Sequence, residues 1–172
     1  MGFTEAYMEE IFAKPAVSAI IEKTENGKTY ILVQRRRKKD PTGGLLEVVG
    51  GKIREYENVF DALKREVYEE TGLMVTKIYG EDECAQERTG SVSTIGFEPF
   101  CVTQNLCGIY SLIMLTFICN AEGEPAKSTD EATDIRWASL EEIESLLENA
   151  PETIFPMDVL PLRKYLRSKK AR

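Results

Sequence analysis

The stretch from Gly51 to Leu73, GKIREYENVFDALKREVYEETGL, restricts the fold more than any other part of the chain. It reads as one short amphipathic helix with both ends marked. Asn58 suits an N-cap, because its side chain can accept a hydrogen bond from a free N–H of the first turn. Gly72 suits the position just past the end, where the backbone turns left-handed. Between them Phe60, Leu63 and Val67 recur at i, i+3 and i+7 and form one apolar stripe, while Asp61, Lys64 and Tyr68 point away. Such a stripe has to be buried against another layer.

Beside the stripe stand Glu66, Glu69 and Glu70, within an arc of roughly 100° at the helical rotation per residue. Like charges three and four apart destabilise a helix by a few tenths of a kcal/mol per pair, about the amount that opposite charges contribute. A chain that collects them there has a cation to hold. Hard divalent ions such as Mg²⁺ take oxygen ligands, commonly one or two carboxylates together with substrate phosphates. Glu66, Glu69 and Glu70 are therefore candidate metal ligands, and Arg65, four residues before Glu69, can orient it through a charge-assisted hydrogen bond. The Gly50-Gly51 pair gives a bare backbone turn, and the Gly50 carbonyl is a further candidate ligand.

The segment resembles the Nudix hydrolase box: G, five residues, E, seven residues, R-E, an aliphatic, any residue, E-E, any residue, G, an aliphatic. Gly51, Glu57, Arg65, Glu66, Val67, Glu69, Glu70, Gly72 and Leu73 fill every fixed position. The resemblance implies an α/β fold, a Nudix-type α/β/α sandwich with a mixed β-sheet. It also implies Mg²⁺ as cofactor, with Mn²⁺ as a substitute, and hydrolysis of a diphosphate linkage. Glu66 and Glu70, with Gly50, would hold the metal. Glu69 or Glu131 would take the proton of the attacking water, Glu131 because similar enzymes supply a carboxylate from a loop ahead of a terminal W-x-x-hydrophobic-E-E segment, here Trp137 to Glu142. Asp130 and Asp134 compete with Glu131. Glu57, Gly51 and Arg65 would support the ligands from behind. One departure stands at the entrance to the box: Leu46-Glu47-Val48-Val49 replaces the W-E-L-P seen in many members, which bears on the substrate cleft beside that strand.

Composition narrows the chemistry. The chain has 172 residues and no His, which removes Ser-His and Cys-His nucleophilic catalysis and leaves carboxylates, Lys or Tyr as bases. Its four Cys form no CxxC pair, so reduced thiols in a cytoplasm are expected and a zinc site is not. A net charge of −7 argues against a nucleic-acid duplex as partner. It does not argue against a small polyphosphate, because a bound divalent ion reverses the local potential. No apolar run is long enough to span a bilayer. A single domain over 1–172 is expected, with an arm or short helix in residues 1–14, and a homodimer is the candidate assembly.

Along the chain, 15–24 and 29–37 read as strands joined by Asn26-Gly27, a strong hairpin signal. Further strands are expected at 45–49, 74–86, 93–104, 110–121 and 133–138. Ser139 opens a capping box for a helix through about 149, and a last helix covers 157–170. The basic run from Arg35 to Lys39 ends a strand, where alternate residues share a face. Arg35 and Arg37 are the candidate phosphate-binding pair, with Arg36 opposite. Phe97 and Tyr110 are candidates for stacking on a nucleobase.

Three functions remain. The expected one is a nucleoside triphosphate pyrophosphohydrolase, because the extra motifs of the ADP-ribose, dinucleoside polyphosphate and NADH hydrolases are missing (position 88 is Arg). An ADP-ribose or nucleotide-sugar pyrophosphatase is the alternative. A nucleotide-sensing domain without catalysis is the rival of another class, though such domains usually lose box carboxylates. The diphosphate isomerases that resemble this fold use metal-binding His, absent here.

Overall fold

A computed structural model describes residues 11–171. In chain order its strands are β1 (Lys14–Glu25), β2 (Lys28–Arg36), β3 (Leu46–Glu47), β4 (Val49–Lys52), β5 (Met74–Ile78), β6 (Ala85–Thr89), β7 (Val92–Gly96), β8 (Cys101–Gln104), β9 (Leu112–Glu122) and β10 (Ala132–Ser139). Its helices are α1 (Val59–Thr71), α2 (Leu140–Asn149) and α3 (Pro156–Lys170). The main sheet runs β10-β2-β1-β9-β5, with β3 added to β2, β4 to β1 and β8 to β9. β1 and β9 run parallel, from Lys14 opposite Leu112 to Ile21 opposite Cys119, and the other pairings are antiparallel.

The expected hairpin closes β1 on β2. Asn26 and Gly27 both have positive φ (51° and 74°), and Glu25 stands opposite Lys28. Two consecutive left-handed residues match the twist of the strands they join.

β1 is the centre of the core, and its six consecutive buried residues, Ala16 to Ile21, show that the sheet is covered on both sides. Val17, Ala19 and Ile21 face α1, where Phe60, Leu63 and Val67 pack as the helical spacing requires. Ile20 faces the other way, toward Ile143 and Leu147 of α2 and Leu162 and Tyr165 of α3. The α/β/α arrangement and the mixed sheet agree with the expectation.

α1 starts and stops where its caps say. The Asn58 side chain accepts from the Phe60 N–H, and Gly72, at φ 75°, donates its N–H to the Tyr68 carbonyl. Ser139 likewise caps α2 through the Glu142 N–H, while the Glu142 carboxylate turns to Arg136.

Three expected strands are broken. The segment 45–49 divides at Val48, whose N–H donates to the buried Asp158 carboxylate of α3 instead of a strand. Gly80, at φ 90°, bends 74–86 into β5, a turn of 3-10 helix at Glu81–Glu83, and β6. The segment 93–104 divides around Pro99, which has no N–H for a ladder. β6 and β7 pair only with each other, as an exposed ribbon. Most of the expected N-terminal arm lies outside the described residues, and 11–13 carry no regular structure.

Candidate functional site

Glu66 and Glu70 lie one turn apart on α1 and open into the same cleft, of about 430 Å³, between α1 and the ends of β2 and β4. The glycines ahead of the helix make this possible by their size. A Cβ on Gly51 would sit 2.2 Å from Cδ and 2.3–2.4 Å from the oxygens of Glu66, so the carboxylate occupies the space a side chain would need. A Cβ on Gly50 would sit 2.4 Å from the Val17 carbonyl oxygen of β1. An alanine at Gly50 would meet backbone, and one at Gly51 would fit only if the Glu66 carboxylate moved.

Arg65 sets the outer edge of the site. Its Nε and Nη2 grip the two oxygens of Glu57 at 2.7 and 2.9 Å, the planar fork that a carboxylate fits best. Nη1 reaches Glu66 at 2.6 Å and Glu69 at 3.1 Å, and Nη2 also donates to the Lys52 carbonyl at 3.2 Å. One guanidinium thus ties the loop ahead of the helix, the end of β4 and two helix carboxylates together. The hydrogen bonds from Arg65 hold the Glu57 carboxyl at about 2, well below the usual carboxylate range.

The inner wall is built by β2 and β3. Gln34, fully buried, donates its amide to Glu70 at 2.6 Å and to Glu47 at 3.2 Å. Arg36 pairs with Glu47, donates to Thr42 at 3.1 Å, and lies with its guanidinium carbon 4.1 Å from the Phe155 ring centroid. Burial pushes the Glu70 carboxyl up to about 8, and the charges of Glu47 and Glu66 push the same way, against the Gln34 hydrogen bond. Glu47 is also raised by burial, which its pairing with Arg36 does not fully offset. Glu47 has Arg36 as a counter-charge, whereas Glu70 accepts from an amide, so this half-dry wall gains from a cation at Glu70.

At the rim the Lys38 ammonium donates to Glu131 at 2.6 Å. The loop that carries Glu131 is fixed by the Arg37 N–H on the Glu131 carbonyl (2.8 Å) and by Arg37 Nη1 on the Thr129 carbonyl (2.9 Å). The far end of the cleft is apolar: Leu112, Met114, Phe155 and Tyr110 line it, and the Tyr110 hydroxyl donates to Asp40.

Of the residues expected from sequence, Glu66, Glu70, Glu131, Gly50, Gly51 and Tyr110 line this cleft. Glu57 and Arg65 stand behind it as described. Glu69 does not line it; its half-exposed carboxylate turns outward to Arg65 and Arg54. Arg35 and Arg37 also fall elsewhere. Alternation along β2 puts Gln34, Arg36 and Lys38 on the cleft side, and Arg35 bonds to the Gly44 carbonyl and pairs with Asp134. Phe97 lies outside this cleft, partly buried against the core, its ring edge-on to Phe60 at 6.0 Å and tilted against Phe117 at 6.1 Å. Glu47, Arg36, Lys38, Lys52 and Phe155 are among the cleft residues that sequence reasoning passed over. For Arg36 and Lys38 the alternation itself was the signal, one residue out of phase with the pair chosen. Phe155 joins the cleft only through the pairing of Ile154 with Leu46, which no local pattern announces.

The donor set fits a hard divalent ion. Glu66, Glu70 and Glu131 offer oxygens only, and the glycine cradle holds one of them against β4. Among the described residues no three acidic or thiol side chains already close around one point. Mg²⁺ commonly takes one or two carboxylates and completes its shell with waters and substrate phosphate.

A model of the NUDIX domain matches residues 13–157. No curated protein matches the chain in sequence. Solved structures do share its fold. The NUDIX domain of Shewanella oneidensis NrtR, complexed with ADP ribose, is 14% identical with a TM-score of 0.64, over 95% of this chain and 91% of that one. A NUDIX hydrolase from Nitrosomonas europaea is 18% identical with a TM-score of 0.63, over 94% and 74%. The MutT protein of Methanosarcina mazei Go1 is 20% identical with a TM-score of 0.59, over 94% and 98%.

Proposed function

The chain belongs to the NUDIX domain family, and from that premise we propose that it is a hydrolase of phosphoric anhydride bonds, a Mg²⁺-dependent pyrophosphohydrolase of nucleoside diphosphates linked to a further group, a nucleoside triphosphate first among them. One observation carries the reading. The box carboxylates Glu66 and Glu70 open into the same cleft as Arg36, Lys38 and Lys52, so metal ligands and phosphate-binding cations face one another.

In this reading Glu66, Glu70 and the Gly50 carbonyl would hold the metal. When bound, the ion neutralises charge that develops on phosphoryl oxygen and lowers the pKa of bound water. Arg65 keeps Glu66 in place through the Glu57 fork. Arg36 and Lys38 take the phosphates. Glu131 accepts the proton of the water that attacks phosphorus. Tyr110 and Phe155 give the organic part of the substrate an aromatic wall at the apolar end. Water and a triphosphate then yield a nucleoside monophosphate and pyrophosphate.

The second reading, an ADP-ribose or nucleotide-sugar pyrophosphatase, draws support from the NrtR domain, whose structure holds ADP ribose and aligns over 95% of this chain. A panel of nucleoside triphosphates, ADP-ribose, NADH, coenzyme A and nucleotide sugars with Mg²⁺ or Mn²⁺ separates the readings by product. Turnover of a triphosphate to monophosphate and pyrophosphate, lost in Glu70→Gln, is the expected result. Tight binding with no product from any compound would replace both readings with the sensing domain.

A further inference from the structure

Of the two cleft cations that pair with a carboxylate, Arg36 and Lys38, the lysine has the less fixed partner. Arg36 is bound by Glu47, Thr42 and the Phe155 ring, and its side chain is 12% exposed. Lys38 has a single ion-pair partner, Glu131, and the two side chains are 41% and 59% exposed. An exposed ion pair contributes little, because water screens it and two long side chains must be held still. This pair can therefore separate at small cost. Its carboxylate backbone cannot wander: the Arg37 N–H fixes the Glu131 carbonyl, Thr129 Oγ1 accepts from the Ala132 N–H at 3.2 Å, and Ala132 pairs with Arg36 in the sheet. The mobile member is the lysine, a point charge on a flexible four-carbon stem. Both side chains open into the cleft with Glu66 and Glu70, and the Glu70 charge also acts on the ammonium.

We propose that Lys38 is a positioning residue that exchanges partners: it occupies Glu131 before the substrate enters, then moves to a substrate phosphate and leaves Glu131 free for the metal-bound end of the cleft. The exchange keeps the ammonium paired throughout, and it turns the Glu131 carboxylate over from the lysine to the metal-bound end of the cleft. It also makes release of Glu131 conditional on a phosphate being present. This inference rests on the hydrolase reading above, but its test does not require turnover.

The test is binding of Mn²⁺ alone, followed by electron paramagnetic resonance, and of inorganic pyrophosphate, followed by calorimetry with Mg²⁺ present. The proteins are wild type, Lys38→Met, Lys38→Arg, Glu131→Gln and the double variant Lys38→Met with Glu131→Gln. If the lysine competes for Glu131, Lys38→Met binds Mn²⁺ about threefold to fivefold tighter than wild type, the upper end of the range an exposed pair is worth. In the Glu131→Gln background the same substitution changes Mn²⁺ affinity by less than half of that factor on a logarithmic scale. Pyrophosphate affinity falls by a similar factor in Lys38→Met and is restored in Lys38→Arg. Unchanged Mn²⁺ affinity, an equal gain in both backgrounds, or unchanged pyrophosphate affinity overturns the exchange. Failure of the hydrolase reading shows separately, as a substrate panel without product.

Discussion

Glu57 and Glu70 belong to one motif, one just ahead of α1 and one in its last turn, yet folding treats them oppositely. Glu57 meets an arginine fork and is held at about 2. Glu70 meets a buried amide and two further carboxylates and is pushed to about 8. The first is finished as it stands: its charge is matched within the chain, and it serves as a brace. The second is left with negative charge that the chain does not match, in a cleft open to solvent. The motif thus divides into a part that makes structure and a part that waits for a cation.

The largest break of this comparison is Glu70→Gln. Loss of a charged oxygen ligand at a phosphoryl-transfer site should lower turnover by about 10²–10³-fold, on the scale of other single electrostatic deletions. Stability should not fall with it, because the substitution removes a buried charge. The pH dependence carries the sign. Glu70 binds a proton more tightly in the folded chain, so its contribution falls as pH rises from about 4.5 to about 8. With chelator present, wild type should lose melting temperature across that window relative to Glu70→Gln. Glu57 behaves in reverse: its contribution is present above about 4.5 and is lost as pH falls toward about 2. Melting temperatures of Glu57→Gln and Glu70→Gln that stay parallel to wild type at both ends of the pH range would dissolve the distinction.

Gly51→Ala sharpens it from the other side. The new Cβ would overlap the Glu66 carboxylate and drive it from the cleft or off Arg65. Turnover should fall by about 10²-fold with weaker Mn²⁺ binding, since a displaced ligand costs about as much as a lost one. Arg65→Met acts one step further out. It leaves every cleft oxygen in place and removes only what orients them, for which a loss of about 10-fold to 100-fold in activity or metal affinity is expected. A loss as deep as that of Glu70→Gln would mean that Arg65 touches substrate.

Legibility followed the same division. The brace and the ligands on α1 were readable because helical spacing, caps and glycines are local, and Asn58, Phe60, Leu63, Val67 and Gly72 act as their positions suggested. The α/β/α layering followed from the same periodicities. What was missed is set by register. Leu46 stands opposite Arg35 and Glu47 opposite Gln34, and that pairing decides which arginines face inward. A strand covered on both faces gives no polar-apolar alternation to read: Ile31 to Gln34 are all buried. Phase along β2 was therefore a choice between two sets, and tertiary pairing made it. Phe155 and Asp158 reach β3 and Val48 from more than a hundred residues away, beyond any local signal.

The smallest expected effect tests that phase directly. Arg35 lies at the outer side of β2, bonded to the Gly44 carbonyl and 3.5 Å from Asp134 in a pair whose side chains are 45% and 47% exposed. Arg35→Ala should change stability by less than about 1 kcal/mol, as for other exposed pairs, and should leave KM within about twofold of wild type. Arg36 allows no such neutral change, since its loss strands the buried Glu47 carboxylate. A rise in KM for Arg35→Ala comparable to that for Lys38→Met would put both faces of the strand in contact with substrate. The alternation that separates brace from cleft along β2 would then not hold in the working enzyme.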